Sequence, residues 1–274
     1  MMVDRQRLYP ALTIARAMRE LLETISELVR KEVNSLPKEF DRSKELCMGA
    51  DGTPTLSIDK VAEDVIIEYV IENDIPLNIL SEEAGYLDNR AEKTLVIDPI
   101  DGTYNSVMGI PFYSVSMAIG TSSMGDVEAG LVQNVVTGER FYAETGKGAF
   151  QDGCPMRVRK YVQKQSTFFV YMGRHSMPVC YDVTKKANRS RSMGCASLEM
   201  CMVAKGSADG YYFNADHYDK SVRVIDIAAS ALILREAGGE IVDLSGKRLD
   251  MPFDLKVRSN FLAYGDETVK GVLL

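Results

Sequence analysis

Histidine and paired cysteines are scarce in this sequence. It has two histidines, His175 and His217, neither at ligand spacing from another metal-binding side chain, and its five cysteines include no CxxC pair. An odd number of cysteines without such pairs indicates neither a disulfide framework nor a zinc ribbon. Because zinc sites are built mainly from histidine and cysteine, the sequence disfavours zinc as its metal.

Long basic segments and long apolar segments are also missing. The formal net charge is −7, and no run of lysine and arginine is interleaved with aromatic residues, so we expect no nucleic-acid partner. No apolar run reaches the roughly 18 residues that a membrane span requires. The first residues lack the basic, apolar, small-residue order of a signal peptide. We therefore expect no membrane partner and a cytoplasmic protein.

Hydrophobic periodicity predicts two amphipathic helices early in the chain. Apolar residues recur at helical spacing from Tyr9 to about Val33, with charged residues on the other face. A second helical pattern runs from Ile58 to Val70 and has Asp59 in its first turn, where a carboxylate complements the helix dipole. Both patterns predict helices that pack one face against a core.

The pattern changes after residue 105. Apolar residues then alternate with period two through glycine-punctuated segments to about residue 150, which is typical of an antiparallel meander. From residue 167 onward, predicted strands alternate with predicted helices. We therefore predict an α/β protein in which residues 1–153 form an antiparallel sheet with paired helices and residues 154–274 form a smaller α/β lobe.

The most informative segment is an apolar strand that ends in two carboxylates. Residues 95–105 read LVIDPIDGTYN, so Asp98 and Asp101 flank Pro99 at the strand end and Gly102 follows directly. Proline holds the residue before it in an extended conformation, and glycine lets the backbone turn sharply. Two carboxylates at a buried strand end gain little from capping and repel each other, so the segment predicts a bound cation.

Three further acidic positions stand at the edges of apolar elements. Glu82 follows an apolar strand, and Asp59 and Asp226 each open a predicted helix. Taken singly, Asp59 and Asp226 are more simply explained as ordinary helix-start carboxylates. A set of oxygen ligands without histidine selects a hard cation, and Mg²⁺ in turn favours phosphate. Gly102 and Thr103, opening a helix, would offer backbone N–H groups to phosphoryl oxygens.

A cysteine nucleophile is a rival interpretation. Cys195 precedes a predicted helix, and a thiol at a helix N-terminus can have a lowered pKa. No histidine partner is indicated nearby, so we favour a small buried residue over a nucleophile at this position.

Together the acidic motifs resemble those of the inositol monophosphatase family. They are Glu82-Glu83, the run DPIDGTYN at 98–105, DIAA at 226–229 and EAGG at 236–239, in the family's order and spacing. More narrowly, GADGTPT at 49–55 and VRVID at 222–226 resemble the archaeal type that acts on inositol phosphates and fructose 1,6-bisphosphate. The resemblance implies a layered αβαβα sandwich of the sugar-phosphatase fold, a homodimer, and two or three Mg²⁺ ions per site.

The resemblance also assigns roles by position. It implies metal binding by four carboxylates and one backbone carbonyl, and catalytic residues close to the attacking water. The turn before a predicted helix aligns with a sugar-contacting segment of the family, although it is also explained as an ordinary close-packed helix start. Apart from the resemblance, two arginines are candidates to bind a distal phosphate, because a guanidinium suits bidentate contacts, although most arginines are merely solvated. The metal set is Glu82, Asp98, Ile100, Asp101 and Asp226; the catalytic set is Asp59, Glu82 and Thr103; the substrate set is Gly194, Cys195, Ala196, Arg174 and Arg191.

These residues predict a Mg²⁺-dependent phosphomonoesterase. Its expected substrates are small sugar or polyol phosphates, with inositol 1-phosphate and fructose 1,6-bisphosphate foremost, and its expected mechanism is attack by metal-activated water. Two alternatives stay open. One is a phosphatase for 3′-phosphoadenosine 5′-phosphate, and the other is a sensor that binds sugar phosphates through metal without turnover.

Overall fold

A computed structural model describes residues 8–50 and 52–274 of the chain. Asp51, within the GADGTPT motif, lies outside the described residues. The α-helices over the described residues are α1 (Leu8–Ser35), α2 (Ser57–Glu72), α3 (Thr103–Met108), α4 (Pro178–Lys186), α5 (Ala196–Ala204), α6 (Val224–Glu236) and α7 (Glu267–Leu273).

The strands of the first half are β1 (Glu45–Met48), β2 (Pro54–Leu56), β3 (Leu77–Ser81), β4 (Gly85–Leu87), β5 (Lys93–Asp101), β6 (Ser114–Gly120), β7 (Ala129–Asn134), β8 (Arg140–Glu144) and β9 (Gly148–Gln151). Those of the second half are β10 (Cys154–Met156), β11 (Thr167–Val170), β12 (Arg189–Arg191), β13 (Gly210–Phe213), β14 (Val222–Arg223), β15 (Glu240–Val242), β16 (Arg258–Ser259) and β17 (Phe261–Tyr264).

A sheet of eight described strands forms the first β-layer. Its order is β10-β9-β8-β7-β6-β5-β3-β4, and β3 with β5 is the one parallel pair among these strands. Helices α1 and α2 pack on each other and on one face of this sheet. The helical spacing seen in the sequence accounts for this, since Leu22, Ile25 and Val29 of α1 and Ile58 and Ile66 of α2 are fully buried.

Helices α5 and α6 lie between two sheets. Helix α6 contacts β5 to β9 of the first sheet and also β15, and α5 contacts β13 and β17 of the second sheet. Ten of the thirteen residues of α6 are buried, which is expected of a helix covered on both sides. The second sheet has the order β12-β11-β13-β17-β15, and α4 and α7 cover its outer face. The layers are therefore α, β, α, β, α, which confirms the predicted sandwich.

The sequence patterns located most of the elements that position the site. Both early helices and the meander strands are confirmed, whereas helices α4 and α7 were not predicted. Strand β10 lies beyond residue 153 yet pairs with β9 in the first sheet. The division into two lobes at 153/154 stays a prediction. In the part of the chain that the structure describes, no helix is both long and apolar enough to cross a bilayer.

Candidate metal and phosphate site

The predicted carboxylates meet at one edge of the first sheet because β3 and β5 are parallel. Ser81 pairs with Ile97, so Glu82, which follows β3, and Asp98, near the end of β5, leave the sheet side by side. Carboxyl ends of parallel strands share an edge, which is why residues far apart in sequence reach one place. The resemblance-based grouping of Glu82 with Asp98 therefore has a direct structural basis.

A β-bulge in β5 determines the directions of the Asp98 and Asp101 side chains. Asp98 pairs with Ser116 and Asp101 with Ser114, so three steps on β5 match two on β6. An extra residue in one strand bends it and redirects its side chains. Pro99 lies inside this bulge, where the missing N–H of proline costs no ladder hydrogen bond. Both carboxylates are buried as a result.

The turn after Asp101 requires glycine and is held by Asn105. Gly102 has φ 86°, and a Cβ there would lie 3.1 Å from Cys195 Cβ and 3.2 Å from Gly194 O. Asn105 donates from Nδ2 to the carbonyls of Phe112 and Met193, both at 2.7 Å. The glycine and asparagine of DPIDGTYN therefore lock β5 and α3 against the turn that precedes α5.

Asp101 is bound by the start of α5. Its carboxylate accepts hydrogen bonds from the backbone N–H groups of Ala196 at 3.2 Å and Ser197 at 2.6 Å. Unpaired amides at a helix N-terminus stabilise an anion. Burial nevertheless raises the pKa of Asp101, and the hydrogen bonds from Ser197 oppose this increase only in part.

Cys195 is a packing residue of this turn. Its Sγ lies 3.1 Å from Asp101 Oδ2, and its side chain is buried. Burial, with the nearby charge of Asp101, raises the pKa of the thiol well above its usual range. A thiol held protonated is a poor nucleophile, so the geometry agrees with the preference for a structural role.

Arg223 lies among the remaining carboxylates. Its Nη1 is 2.5 Å from Glu82 Oε1 and its Nη2 is 2.9 Å from Asp226 Oδ1. Asp226 Oδ2 also accepts the Arg223 backbone N–H at 2.7 Å, which caps α6. Burial opposes the guanidinium charge, but the carboxylates of Asp226 and Glu82 outweigh it and raise the Arg223 pKa above its usual value.

Asp98 shows why the cluster suits a divalent cation. Its Oδ1 is buried and has no hydrogen-bond partner among the described residues. Burial raises the pKa of Asp98 well above its usual range, and the charges of Glu82 and Asp101 add to the increase. A buried carboxylate with an unpaired oxygen and like charges beside it is stabilised most directly by a bound cation. The oxygen-only donor set fits Mg²⁺.

Asp59 joins the cluster through Thr103. The Thr103 hydroxyl lies 2.9 Å from Asp59 Oδ1 and 2.9 Å from the carbonyl oxygen of Ile100. Burial raises the pKa of Asp59 to about 7, the Thr103 hydrogen bond opposes this, and the charge of Glu83 adds to it. A carboxylate with a pKa near neutrality can both take up and give up a proton at physiological pH.

A cavity of about 360 Å³ opens over these groups. Among the described residues, its lining includes every predicted metal residue, the predicted phosphate-binding pair and the predicted turn before α5; Asp59 reaches it through Thr103. These lining residues are Glu82, Asp98, Ile100, Asp101, Gly102, Thr103, Gly194, Cys195, Ala196 and Asp226.

The two predicted arginines are not part of the described cavity lining. Arg191 lies on the edge strand β12, beside a separate surface hollow, and Arg174 lies on the segment between β11 and α4. Arg223, Arg258 and Lys220 line the cavity instead. The role of Arg174 and Arg191 as substrate contacts stays a prediction, and the lining gives it no support.

Two of the cavity residues that were not predicted from the sequence, Arg223 and Arg258, differ in whether the sequence carried a local signal for them. Arg223 precedes Asp226 by three residues, so its place beside the helix start could have been read locally. Arg258 is brought to the cavity by antiparallel pairing of β14 and β16, in which it faces Arg223. Two-residue strands leave no recognisable pattern, so no local signal identified Arg258.

Comparison with known proteins agrees with this geometry. The model of the inositol monophosphatase family matches residues 12–269. A fructose-1,6-bisphosphatase/inositol-1-monophosphatase of Methanothermobacter thermautotrophicus is 32% identical over 257 residues, covering 88% of this chain and 90% of the relative. A solved structure of an inositol monophosphatase–fructose 1,6-bisphosphatase matches with a TM-score of 0.81 at 30% identity, covering 93% of this chain and 99% of that one.

Another relative is a longer protein. The bifunctional NADP phosphatase/NAD kinase of Methanococcus maripaludis is 34% identical over 262 residues. The match covers 87% of this chain and 45% of that relative, so this chain spans less than half of its length. The family and these named relatives are phosphatases. On the family match and on its similarity to these relatives, this chain belongs to the inositol monophosphatase family.

Proposed function

We propose that this protein is a Mg²⁺-dependent phosphomonoesterase that hydrolyses small sugar or polyol phosphates, with inositol 1-phosphate and fructose 1,6-bisphosphate as its leading substrates. The observation that carries the proposal is the buried, unpartnered Oδ1 of Asp98 in a cavity lined by four further carboxylates. Five carboxylates against three cationic side chains leave an excess of acidic groups around the cavity, so bound cations would favour the binding of a phosphate.

The residues that would hold the ions are Glu82, Asp98, Asp101, Asp226 and the carbonyl of Ile100. Bound Mg²⁺ supplies charge neutralisation for the phosphoryl group and lowers the pKa of a coordinated water. Two or three ions per site remain the expectation from the family resemblance.

The chain's own groups would position the water and the phosphate. The first amides of α3, after Gly102, have no acceptor within the helix and would donate to phosphoryl oxygens. Thr103 Oγ1 lies between Asp59 and the Ile100 carbonyl, so it would orient a water. The hydroxyl would accept a proton from that water as it gives its own proton to Oδ1 of the ionised Asp59. A general-base step of this kind contributes about 10² to 10⁴-fold.

The cavity supports a small phosphorylated substrate. Its volume of about 360 Å³ is at the lower end of the usual range for small-molecule sites. Lys220 and Arg258 line it in addition to the carboxylates. Such cationic side chains suit a second phosphate or the hydroxyl groups of a sugar. Fructose 1,6-bisphosphate offers both groups.

A phosphate-release assay tests the proposal. The chain is assayed with inositol 1-phosphate, fructose 1,6-bisphosphate, NADP and 3′-phosphoadenosine 5′-phosphate, each with Mg²⁺ and with EDTA, and kcat/KM is compared. We expect the first two to be hydrolysed best and only with Mg²⁺. The Asp98→Asn variant, prepared in parallel, controls for a contaminating phosphatase.

Other outcomes would each exclude part of the proposal. A higher kcat/KM for either nucleotide than for the two sugar or polyol phosphates would indicate a nucleotide phosphatase. NADP is included because one relative is named as an NADP phosphatase. Background rates on all four compounds, with Mg²⁺-dependent binding retained, would indicate a sensor. The homodimer also stays a prediction, and light scattering of the purified chain at several concentrations would test it.

A further inference from the structure

The only two histidines of the chain converge on one aspartate outside the carboxylate cluster. His175 Nδ1 lies 3.3 Å from Asp216 Oδ1, and His217 Nε2 lies 3.9 Å from Asp216 Oδ2. One potential ligand atom from each of the three residues lies within 4.8 Å of the other two. The spacing of the histidines in the sequence did not indicate this convergence.

Backbone pairing between distant segments explains the convergence. Ser176 and Ala215 form an antiparallel bridge, and the Asp216 N–H donates to the His175 carbonyl at 2.8 Å. Asn260 fixes the same turn, because its Oδ1 accepts the Ala215 N–H at 2.9 Å. The three side chains therefore extend from a backbone that is already held in place, which reduces the entropy lost when they bind a ligand.

The His175 ring has an unused nitrogen. Although Nδ1 is close to Asp216, it is a buried atom without a hydrogen-bond partner among the described residues. The short contact therefore lacks hydrogen-bond geometry. A buried polar atom without a partner is costly, and a bound metal ion would satisfy it.

We propose that His175, Asp216 and His217 form a binding site for a divalent transition-metal ion of the Zn²⁺ class. Imidazole nitrogens favour such ions, whereas the oxygen-only cluster around Asp98 favours Mg²⁺. Three protein ligands leave one tetrahedral position for water. The chain would then hold two kinds of metal site with different chemical selectivity.

The site is linked to the wall of the catalytic cavity. Asp216 and His217 begin the connection that continues to Asp219, Lys220 and Ser221, all of which line that cavity. On the other side, the ring of Tyr171 also lines the cavity and stacks on Phe213 at 4.2 Å.

The charge of Asp216 affects the pKa of Tyr171, a residue of the cavity wall. Burial raises the pKa of Tyr171, and the charge of Asp216 adds to the increase. An ion bound by Asp216 would reduce the contribution of Asp216 to the raised pKa of Tyr171. The same ion would link His175 to the connection formed by residues 216–221. We therefore expect the ion to brace this rim of the cavity rather than to take part in the reaction.

Zinc binding to the full chain tests the proposal. The exposed thiols Cys47 and Cys154 are replaced by serine, and saturating Mg²⁺ is present to compete for the carboxylate cluster. Isothermal titration with Zn²⁺ gives stoichiometry and affinity, and the side-chain NMR signals of the two histidines report their binding directly. We expect one Zn²⁺ per chain, with both histidine signals changing together.

Variants separate this site from other zinc binding. His217→Gln and His175→Gln should each weaken Zn²⁺ binding at least about tenfold, since even groups that only orient metal ligands contribute that much. His217 is largely exposed, so its replacement should not impair folding. Asp182→Asn removes an exposed carboxylate from α4 and should leave Zn²⁺ affinity unchanged.

The outcomes are distinct from those of the phosphatase assay. Equal Zn²⁺ affinity in the wild type and in His217→Gln, or histidine signals that do not respond to Zn²⁺, would overturn the site. Zn²⁺ should also slow hydrogen exchange of residues 214–222 in the wild type but not in His217→Gln. Equal exchange with and without Zn²⁺ would overturn the bracing role.

Discussion

The guanidinium of Arg223 forms a 2.9 Å ion pair with the carboxylate of Asp226, three residues along the chain, at the start of α6. The same guanidinium reaches Glu82, so one cation holds carboxylates from two distant elements. Arg223 therefore supplies part of the positive charge that the cluster requires. A divalent ion that binds Glu82 and Asp226 must compete with Arg223 for the same oxygens.

Replacing Arg223 with Gln should destabilise the metal-free protein and enlarge its response to Mg²⁺. The carboxylates would lose a buried partner, which costs about 3 kcal/mol, while a competitor for the metal would be removed. Thermal melts in EDTA and in Mg²⁺ would measure a lower Tm without metal and a larger increase with it. Arg258→Gln, at the β-strand partner of Arg223, is the matched control and should change neither value as much. A Mg²⁺-induced shift no larger than in the wild type would contradict this competition.

Replacing Asp98 with Asn should separate stability from activity. The amide carries no charge and relieves the repulsion that raises the Asp98 pKa, so the metal-free protein should become more stable. The same change removes a proposed metal ligand, so kcat/KM should fall at least about 10²-fold and the Mg²⁺-induced increase in Tm should shrink. Urea melts in EDTA and Mg²⁺ titrations of activity provide both readouts. An active variant with unchanged Mg²⁺ dependence would exclude Asp98 as a ligand.

Replacing Thr103 with Val should reduce turnover without reducing metal affinity. Valine keeps the shape of threonine but loses the hydroxyl that bridges Asp59 and the Ile100 carbonyl. If that hydroxyl orients the water, kcat should fall about 10²-fold while the Mg²⁺ concentration for half-maximal activity stays near the wild-type value. Thr103→Ser restores the hydroxyl and should recover most of the rate. An unchanged kcat in Thr103→Val would exclude this role of the hydroxyl.

The sequence predicted those residues of the site that lie close together in one motif. Asp98, Asp101 and Thr103 lie within six residues, so one motif carries the bulge, the turn and the helix start. Asp59 and Asp226 each stand at the start of a helix with a strong apolar pattern. The family resemblance implied that these two helix starts approach Asp98 and Asp101, and composition did not.

The other features of the fold and the site could not be predicted from the sequence. They depend on pairing between distant segments or on segments whose hydrophobic pattern is weak. Two-residue strands bring Arg258 to the cavity, and an isolated bridge brings His175 to Asp216. Helix α4 buries only Cys180 and Val183, so its periodicity is too weak to stand out, although Pro178 at its start was a usable signal.

Glu199 is a buried carboxylate behind the turn that precedes α5. It lies in the first turn of α5 and accepts the backbone N–H of Met193 at 2.7 Å. Burial raises its pKa to about 8, and the hydrogen bonds from Met193 and the Tyr211 hydroxyl oppose the increase only in part. Glu199 is therefore protonated in the folded protein at neutral pH.

The raised pKa of Glu199 makes stability fall with increasing pH. The folded protein retains this proton to about pH 8, whereas the unfolded chain releases it near pH 4.5, so the unfolding free energy decreases across this window and levels off above it. Glu199→Gln resembles the neutral acid and does not titrate. Urea melts in EDTA at pH 5, 7 and 9 should show the wild type losing on the order of 4 kcal/mol relative to the variant. Parallel pH profiles for the two proteins would show that Glu199 is ionised in the fold, and the turn before α5 would then carry a buried negative charge beside Asp101.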